Sequence, residues 1–390
     1  MNILIISHEY PPIGGGGANA CMYLSKEYAR YGHSIDIITV WWEGTQEEEI
    51  SDDKRIRVFR IRAKRQKKAS CSFAEMLDFI IKAKTKADDL VKEKKNTNSS
   101  YDICQIFFGI PSGVISYYLK KKYHLPYVVR FGGGDIPGFQ DRFKQVYKII
   151  SPAIRKIWGN ADALVANSKG LKELALRFCD EYPVSIIHNG VDTEVFKPKH
   201  KEDGDPVTLL FISRLIERKG LQFIIPKMRK ISEETNRNIR LLVIGDGPYR
   251  LNLEQMAKKE NVESQVFFVG QKDKKELPEL YQQGDIFIFP SQKEGMPNAV
   301  LEAMACGLPI IMSPCQGSEE LIAGNGVIAD ANMEDFYESI IEIIKLDQEE
   351  KNKMARESRE RAVKLFSWDS KAREYLSLFN TIIRGEKSIS

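Results

Sequence analysis

Short apolar runs alternate along the chain with longer segments in which apolar residues recur at helical spacing. In the first half the runs that predict strands are NILIIS, SIDIITV, RIRVFRI, DICQIFF and YVVRF; in the second half they are VTLLFIS, RLLVIG, QVFFVG, DIFIFP and PIIMS. Nearly continuous apolar strands separated by helices are typical of parallel sheets that are covered on both faces. We therefore expect an α/β fold with doubly wound parallel sheets.

The alternation stops after SIIHNGVD and restarts at VTLLFIS, and the polar stretch KPKHKEDGDP lies between them. Because 390 residues are many for one core, this stretch is interpreted as a linker. We predict a Rossmann-like domain over residues 1–190, a linker over 191–206 and a second Rossmann-like domain over 207–366. Ligands of such sheets bind beyond the carboxyl ends of the strands, so a cleft between the domains is expected.

The last segment, residues 367–390, is amphipathic. Its apolar positions Trp368, Tyr375, Leu376 and Phe379 fall on one helical face. We predict a C-terminal helix that packs back on the first domain.

Composition narrows the class of protein further. The chain is 43% hydrophobic and 29% charged, and a net charge of +4 does not require a nucleic-acid partner. Six scattered cysteines without a C-x-x-C pair argue against disulfides and a zinc site and suit a reducing compartment. No apolar run reaches the ~18 residues of a membrane-spanning helix, so a cytoplasmic protein is expected.

The stretch DIFIFPSQKEGMPNAVLEAMACGLPIIMS is the most informative part of the sequence. Its strand is followed by a loop with Glu294 and by a helix that begins near Pro297, whose free amides and positive end form an anion site. Glu302 follows Glu294 by a little over two helical turns, so both carboxylates can face one ligand. Upstream, SRLIERKG provides Arg214 and Lys219, two cations suited to a diphosphate.

Taken singly, each of these residues is more simply a solvated surface charge or a turn residue. Their conjunction and order favour a site. The chain contains the motifs E-x7-E, R-x4-K, VIGDGP, VFFVGQ, SIIHNGVDTEVFKP and the terminal FSWD. Through these motifs, nearly the whole chain resembles the retaining GT-B glycosyltransferases of family 4.

This resemblance implies a nucleotide-diphospho-sugar donor, a UDP- or GDP-sugar, bound by the second domain. It implies that Arg214 and Lys219 hold the diphosphate, that Glu294 contacts the donor sugar and that Glu302 binds the ribose. It implies no metal and no cofactor, because protein cations stabilise the leaving group in a front-face reaction. Further donor-binding positions are Gly245, Gly270, Gly295, Met296, Pro297 and Asn298.

On the acceptor side the chain departs from a common pattern. Many related enzymes carry a histidine in an HGxD-type loop, and here the corresponding stretch is RFGGGDIPG, with Gly132 in the histidine's place. Arg130 and Asp135 of this stretch remain candidates, and His8 and His188 are others. The acceptor implied is a cell-envelope glycan or a lipid-linked sugar, as in lipopolysaccharide or capsule synthesis.

A basic region extends over residues 54–95, from Lys54 to Lys95. Its alternative interpretations are solvated charges or a surface for anionic lipid, because Phe73, Met76, Leu77 and Ile80 are spaced for one helical face. The second interpretation predicts a peripheral protein at the inner face of the cell membrane.

The glycine-rich loop HEYPPIGGGGANA leaves a rival function open. Its G-x-G-x-x-A pattern would suit an NAD(P)-dependent oxidoreductase, although HEYPPI separates the glycines from the strand. A nucleotide-sugar epimerase is a nearer alternative. In the glycosyltransferase interpretation the amides of Gly15, Gly16 and Gly17 face the donor diphosphate or the acceptor.

Overall fold

The structure is a computed structural model and describes residues 1–68, 70–139, 144–199, 206–315 and 317–386. The chain divides into two compact units: Met1–Asn189 with Trp368–Ser390, and Gly190–Ser367. Residues 191–199, assigned to a linker by the sequence, belong to the second unit, where Phe196 is buried and its carbonyl accepts a hydrogen bond from Arg359. Residues 200–205 of that segment lie outside the described residues.

The described part of the first unit has one sheet, whose strand order is β3-β4-β2-β1-β5-β6-β7-β8. All neighbours are parallel except β3 and β4. The strands are β1 (Asn2–Ser7), β2 (Ser34–Val40), β3 (Glu48–Ile50), β4 (Ile56–Ile61), β5 (Ile103–Phe107), β6 (Tyr127–Arg130), β7 (Ala163–Ala166) and β8 (Val184–Ile186).

The register of the central strands decides where their loops emerge. Ser7 pairs with Phe107, and Phe107 pairs with Arg130, so β1, β5 and β6 end side by side. The segments that follow these three strands therefore leave the sheet at one edge, which we call the first carboxyl edge.

Helices cover both faces of this sheet because alternate residues of its buried strands point into two separate apolar clusters. A capping box of Ser72 and Glu75 fixes the start of the longest of them. These helices are α1 (Gly16–Arg30), α2 (Phe73–Asn96), α3 (Ser112–Tyr123), α4 (Lys144–Trp158) and α5 (Lys169–Phe178).

The second unit repeats the architecture with a parallel sheet of order β11-β10-β9-β12-β13-β14 within the described residues. Its strands are β9 (Val207–Ile212), β10 (Ile239–Ile244), β11 (Val266–Gly270), β12 (Ile286–Phe289), β13 (Ile310–Met312) and β14 (Gly326–Ile328). Its helices are α6 (Met228–Thr235), α7 (Arg250–Lys259), α8 (Leu277–Tyr281), α9 (Asn298–Ala305), α10 (Ser318–Leu321), α11 (Met333–Lys345) and α12 (Gln348–Phe366).

The final helix, α13 (Trp368–Ile383), belongs to the first unit. Trp368 stacks on Tyr23 of α1 with ring centroids 5.4 Å apart, and the Tyr31 hydroxyl donates a hydrogen bond of 2.6 Å to Asp369. Tyr375 and Phe379 are fully buried in the same cluster. The two parallel α/β units and the return of the last helix confirm the predicted fold.

Candidate active site

At the carboxyl ends of β9 and β12 the structure brings Lys219 and Glu294 together. The two strands are neighbours, so the segments that follow them lie side by side. The Lys219 ammonium lies 2.5 Å from Glu294 Oε1, and the Ser291 hydroxyl donates to the same oxygen at 3.2 Å. Arg218, which the sequence interpretation overlooked although it precedes Lys219, lies 3.5 Å from that oxygen. Glu294 is thus held by cations before any ligand is present.

Arg214 lies in the same segment but in a different environment. Its side chain is exposed, and across the described residues its guanidinium has no hydrogen bond or ion pair. An exposed cation beside a buried strand end can meet an anionic ligand without first losing a protein partner.

Helix α9 begins one residue later than Pro297, which occupies its N-cap position. Met296 and Pro297 are buried and anchor the turn, whereas Gly295 and Asn298 are half-buried. No side chain of the described residues caps this end of the helix. The positive N-terminus of the helix, with its free amides, therefore follows Glu294 closely in the sequence.

Glu302 lies on α9 and accepts a hydrogen bond of 2.8 Å from the Tyr281 hydroxyl. Burial raises the pKa of Glu302 to about 7, while the Tyr281 hydrogen bond and the charge of Lys274 act in the opposite direction. Neither Tyr281 nor Lys274 was singled out from the sequence, because no spacing rule connects them with α9. The site thus contains a carboxyl group that titrates near neutral pH.

Two glycines of the second unit have positive φ, and one of them also has a steric reason for being glycine. Gly245 has φ +132°, and a Cβ on it would lie 2.0 Å from the Ser213 carbonyl oxygen. Its amide donates to the carbonyl of Gly270, which itself has φ +83°. Gly245 therefore allows the backbone to pack against the segment that carries Arg214.

The first carboxyl edge carries the glycine loop and the loop that contains Gly132. Gly15 is the N-cap of α1 and a Cβ on it would meet no atom within 4 Å, whereas Gly16 and Gly17 form the first helical turn. A Cβ on Gly17 would lie 2.5 Å from the ring of Phe108, and one on Gly132 would lie 2.2 Å from it. The departure at Gly132 thus has a physical reason: a side chain there would overlap Phe108.

Asp135 ties two loops of this edge together. Its carboxylate accepts hydrogen bonds from the amides of Gly109, at 2.6 Å, and Gly132, at 2.9 Å. The side chain is buried, and burial raises its pKa against the effect of these hydrogen bonds. Asp135 therefore holds the backbone after β5 to the backbone after β6.

The other predicted acceptor residues are less accessible. Arg130 is 2% exposed; its guanidinium donates to Asn189 and lies over the ring of Phe107. His8 is also buried, and burial together with the nearby charge of Arg65 lowers its pKa to about 3, so the ring is neutral. His188 is half-buried. Arg130 accordingly packs inside the unit, and direct contact with an acceptor would require rearrangement.

Two family models match consecutive parts of the chain. Glycosyltransferase Family 4 matches residues 14–195, and Glycosyl transferases group 1 matches residues 192–361. Together with the two parallel-sheet units, these matches identify the chain as a glycosyltransferase of the GT-B type. This is the class that the motifs predicted, in preference to a dehydrogenase or an epimerase.

Other glycosyltransferases are similar to the chain in sequence, some over nearly its whole length and some over about half of it. An uncharacterized glycosyltransferase of Methanocaldococcus jannaschii is 25% identical over 97% of this chain and 98% of its own. A colanic acid biosynthesis glycosyltransferase of Escherichia coli, WcaL, described as putative by its name, is 25% identical over 52% of each chain.

Solved structures share the fold at lower identity. Sucrose-phosphate synthase from Thermosynechococcus elongatus has a TM-score of 0.79 at 20% identity, covering 99% of this chain and 100% of its own. Anabaena HepE in complex with UDP-glucose has a TM-score of 0.70 at 17% identity, covering 98% of this chain and 100% of its own.

A helix that could span a membrane needs a long apolar stretch, and none of the helices in the described residues has one.

Proposed function

We propose that this protein is a retaining glycosyltransferase of family 4. It would move a hexose or an N-acetylhexosamine from a UDP- or GDP-sugar to a cell-envelope glycan or lipid-linked acceptor. The observation that carries the proposal is the pairing of Lys219 with Glu294 beside the exposed Arg214, at the carboxyl ends of two neighbouring strands. The UDP-glucose bound to HepE and the biosynthetic role in the name of WcaL support the donor and the acceptor class.

The donor diphosphate would bind Arg214 and Lys219. In binding, it would share Lys219 with Glu294, and Glu294 would turn to the sugar hydroxyls together with the amides of Gly295, Met296 and Asn298. The bond between C1 of the sugar and the phosphate oxygen breaks, and the acceptor oxygen bonds to C1 on the same face. The acceptor's proton passes to the departing phosphate oxygen, so no enzymic base is needed. The cations and the helix N-terminus stabilise the charge that develops on the diphosphate.

The same electrostatics support metal independence, since two protein cations and a helix end act on the diphosphate. The test is release of nucleotide from UDP-glucose, UDP-N-acetylglucosamine and GDP-mannose in the presence of EDTA. Release of nucleotide from at least one donor, unchanged by added magnesium, is the expected result. A strict requirement for a divalent cation would contradict this part of the proposal.

The ribose and base would lie beyond the diphosphate. The hydroxyls of the ribose can donate to Glu302, and the backbone at Gly270, with its positive φ, can lie against the base. On the first unit, the amides of Gly15, Gly16 and Gly17 at the start of α1 can hold an anionic or hydroxylated ligand. His8, Arg130 and His188 would support that edge from within, and Asp135 would fix its loops.

Binding of UDP-glucose is expected to release protons near pH 7. Hydrogen bonds from ribose hydroxyls favour the ionised form of Glu302, so binding lowers a pKa that stands at about 7 in the free protein. Affinity therefore rises with pH through this range. Isothermal titration calorimetry in two buffers of different ionisation enthalpy measures the released protons, and UDP-glucose is chosen because its diphosphate does not titrate near pH 7.

The matched control for this measurement is Glu302→Gln, which keeps the shape of the side chain and cannot ionise. Its binding enthalpy should be the same in both buffers. An identical heat in both buffers for the unmodified protein would show that Glu302 does not change protonation on binding.

The structure changes the definition of the membrane surface that the sequence predicts on the first unit. Three arginines of the basic region form ion pairs within the unit. The pairs are Arg57 with Asp36 at 2.7 Å, Arg60 with Glu49 at 2.8 Å and Arg62 with Glu47 at 2.6 Å. Three apolar side chains of α2 form an exposed stripe: Phe73, Leu77 and Ile81 are 36%, 46% and 68% exposed. Of the four apolar positions predicted there, Met76 and Ile80 are half-buried.

We infer that this apolar stripe, with the exposed Lys84 on the same helix, contacts anionic lipid. Leu77→Ser/Ile81→Ser should weaken co-sedimentation with phosphatidylcholine–phosphatidylglycerol vesicles by about tenfold or more, since each buried aliphatic side chain contributes about 1.5–3 kcal/mol. Leu251→Ser, at a position 70% exposed on α7, is the matched control. Equal binding of all three proteins, or none to vesicles at low salt, would overturn the inference.

A further inference from the structure

Phe108 has a backbone conformation that bulky residues rarely adopt. Its φ is +69°, in the left-handed region, where a side chain of this size is an outlier. Such a conformation is unfavourable and persists only where surrounding contacts enforce it. Phe108 directly follows β5 at the first carboxyl edge, so the outlier lies where ligands of this fold class bind.

Hydrogen bonds on both sides of Phe108 hold this conformation. Its own amide donates to the Arg130 carbonyl at 3.0 Å, which extends the pairing of β5 with β6. The next amide, that of Gly109, donates to the buried carboxylate of Asp135. Asp135 is therefore a positioning residue for Phe108.

The ring fits a space that glycines leave open. A Cβ on Gly17 would lie 2.5 Å from the ring's Cζ, and a Cβ on Gly132 would lie 2.2 Å from its Cε1. Gly132 does not have positive φ, so its backbone conformation does not require glycine, and the ring is the reason for the missing side chain. The neutral ring of His8 packs edge-on against Phe108 at 4.9 Å between centroids.

Phe108 is half-buried in the unit and so keeps some exposure to solvent, and its ring lies against Gly17 in the first turn of α1. A pyranose has one face of weakly positive C–H groups and a rim of hydroxyls. The negative face of an aromatic ring attracts the first, and backbone amides hydrogen-bond the second.

The geometry points to Phe108 as a specificity-determining residue: its ring forms an apolar wall against the C–H face of the acceptor's sugar ring. The assignment rests on the proposed function. It names a sugar ring, rather than a lipid chain, as the part of the acceptor that reaches this edge. It also explains why the outlier conformation, Gly17, Gly132 and Asp135 occur together.

The test is NMR of protein whose phenylalanine rings are labelled with carbon-13, with resonances assigned by Phe108→Leu, Phe289→Leu and Phe267→Leu. The probes are methyl α-D-glucopyranoside and methyl N-acetyl-β-D-glucosaminide. Sorbitol, which has hydroxyls but no ring face, is the control ligand, and Phe267, 44% exposed on β11, is the control ring. We expect the Phe108 signals to shift saturably with at least one glycoside and not with sorbitol, while Phe267 is unchanged.

The absence of a Phe108 shift with both glycosides, up to their solubility limits, would overturn the assignment, and so would equal shifts with sorbitol. Phe289 reports separately on the donor site, because Lys219 Nζ lies 5.0 Å from its ring centroid. If the Phe289 signals do not shift with UDP while the Phe108 signals shift with a glycoside, the proposed donor site is wrong and the sugar site is supported. If the Phe289 signals shift with UDP and the Phe108 signals do not shift with either glycoside, only the sugar site is wrong.

A double-mutant cycle tests the packing on which the inference depends. Gly132→Ala should lower the Tm of the otherwise unmodified protein and lower it much less in a Phe108→Ala background, where the ring is absent. Equal losses in the two backgrounds would show that the ring is not the reason for glycine at this position.

Discussion

Replacing Lys219 by alanine is expected to lower the turnover of sugar transfer by about 10²–10³-fold, the usual loss when one preorganised group that stabilises developing negative charge is removed. Lys219 is the half-buried cation of the site, and it lies 2.5 Å from Glu294. The variant therefore removes the charge opposite the leaving diphosphate and leaves Glu294 without its main partner. Nucleotide release from the preferred donor, with transfer measured in parallel, gives the loss directly.

The matched control for this prediction is Lys227→Ala. Lys227 belongs to the same unit and also pairs with a carboxylate, Glu334, at 2.6 Å. It lies in a short 3₁₀ helix, Ile225–Lys227, separate from the 3₁₀ turn Glu217–Lys219 that carries Lys219. Its turnover should match that of the unmodified protein. Normal turnover in Lys219→Ala would show that the diphosphate is stabilised elsewhere.

Gly245→Ala is expected to cause a large loss of stability, about 3 kcal/mol or more, because overlap with backbone cannot be relieved by a rotamer change. The added Cβ would lie 2.0 Å from the Ser213 carbonyl, and φ is +132°. Relief of the overlap would move the segment that carries Arg214, so binding of UDP should weaken as well. Urea unfolding followed by circular dichroism measures the free energy of unfolding.

Gly324→Ala separates the two causes of this loss. Gly324 also has positive φ, +79°, and lies in the second unit, but a Cβ on it would meet no atom within 4 Å. Its cost should be the backbone term alone, about 1–2 kcal/mol, with UDP binding unchanged. Equal losses in the two variants would mean that the contact with Ser213 does not constrain the site.

The sequence predicts most of the fold because its strands are buried on both faces and are therefore continuous apolar runs. Four short strands were not predicted, namely the edge strand β3 and the strands β7, β8 and β14, since three or four residues give little periodicity on their own. The carboxylates and the cations of the second unit were predicted from two short motifs, E-x7-E and R-x4-K, which are distant in sequence and follow the neighbouring strands β12 and β9.

What the sequence could not reveal depends on contacts between distant residues. Nothing in its spacing shows that the hydroxyl of Tyr281 meets Glu302, or that burial shifts the pKa of that carboxyl to about 7. Arg130 was a candidate because of its place in the stretch RFGGGDIPG, yet its guanidinium is buried over Phe107. Phe108 was passed over as a strand residue, because its importance lies in a φ value and in two glycines from other loops.

The central claim is that the second unit binds a nucleotide-diphospho-sugar through Arg214, Lys219, Glu294 and Glu302. Saturation-transfer NMR in EDTA, with UDP-glucose, UDP-N-acetylglucosamine, GDP-mannose and NAD as separate ligands, tests it most directly. We predict saturation of the nucleotide and sugar protons of at least one nucleotide-sugar, lost in Lys219→Ala and kept in Lys227→Ala. Saturation of NAD alone, or of a nucleotide-sugar equally in both variants, would contradict binding of a nucleotide-diphospho-sugar by these residues.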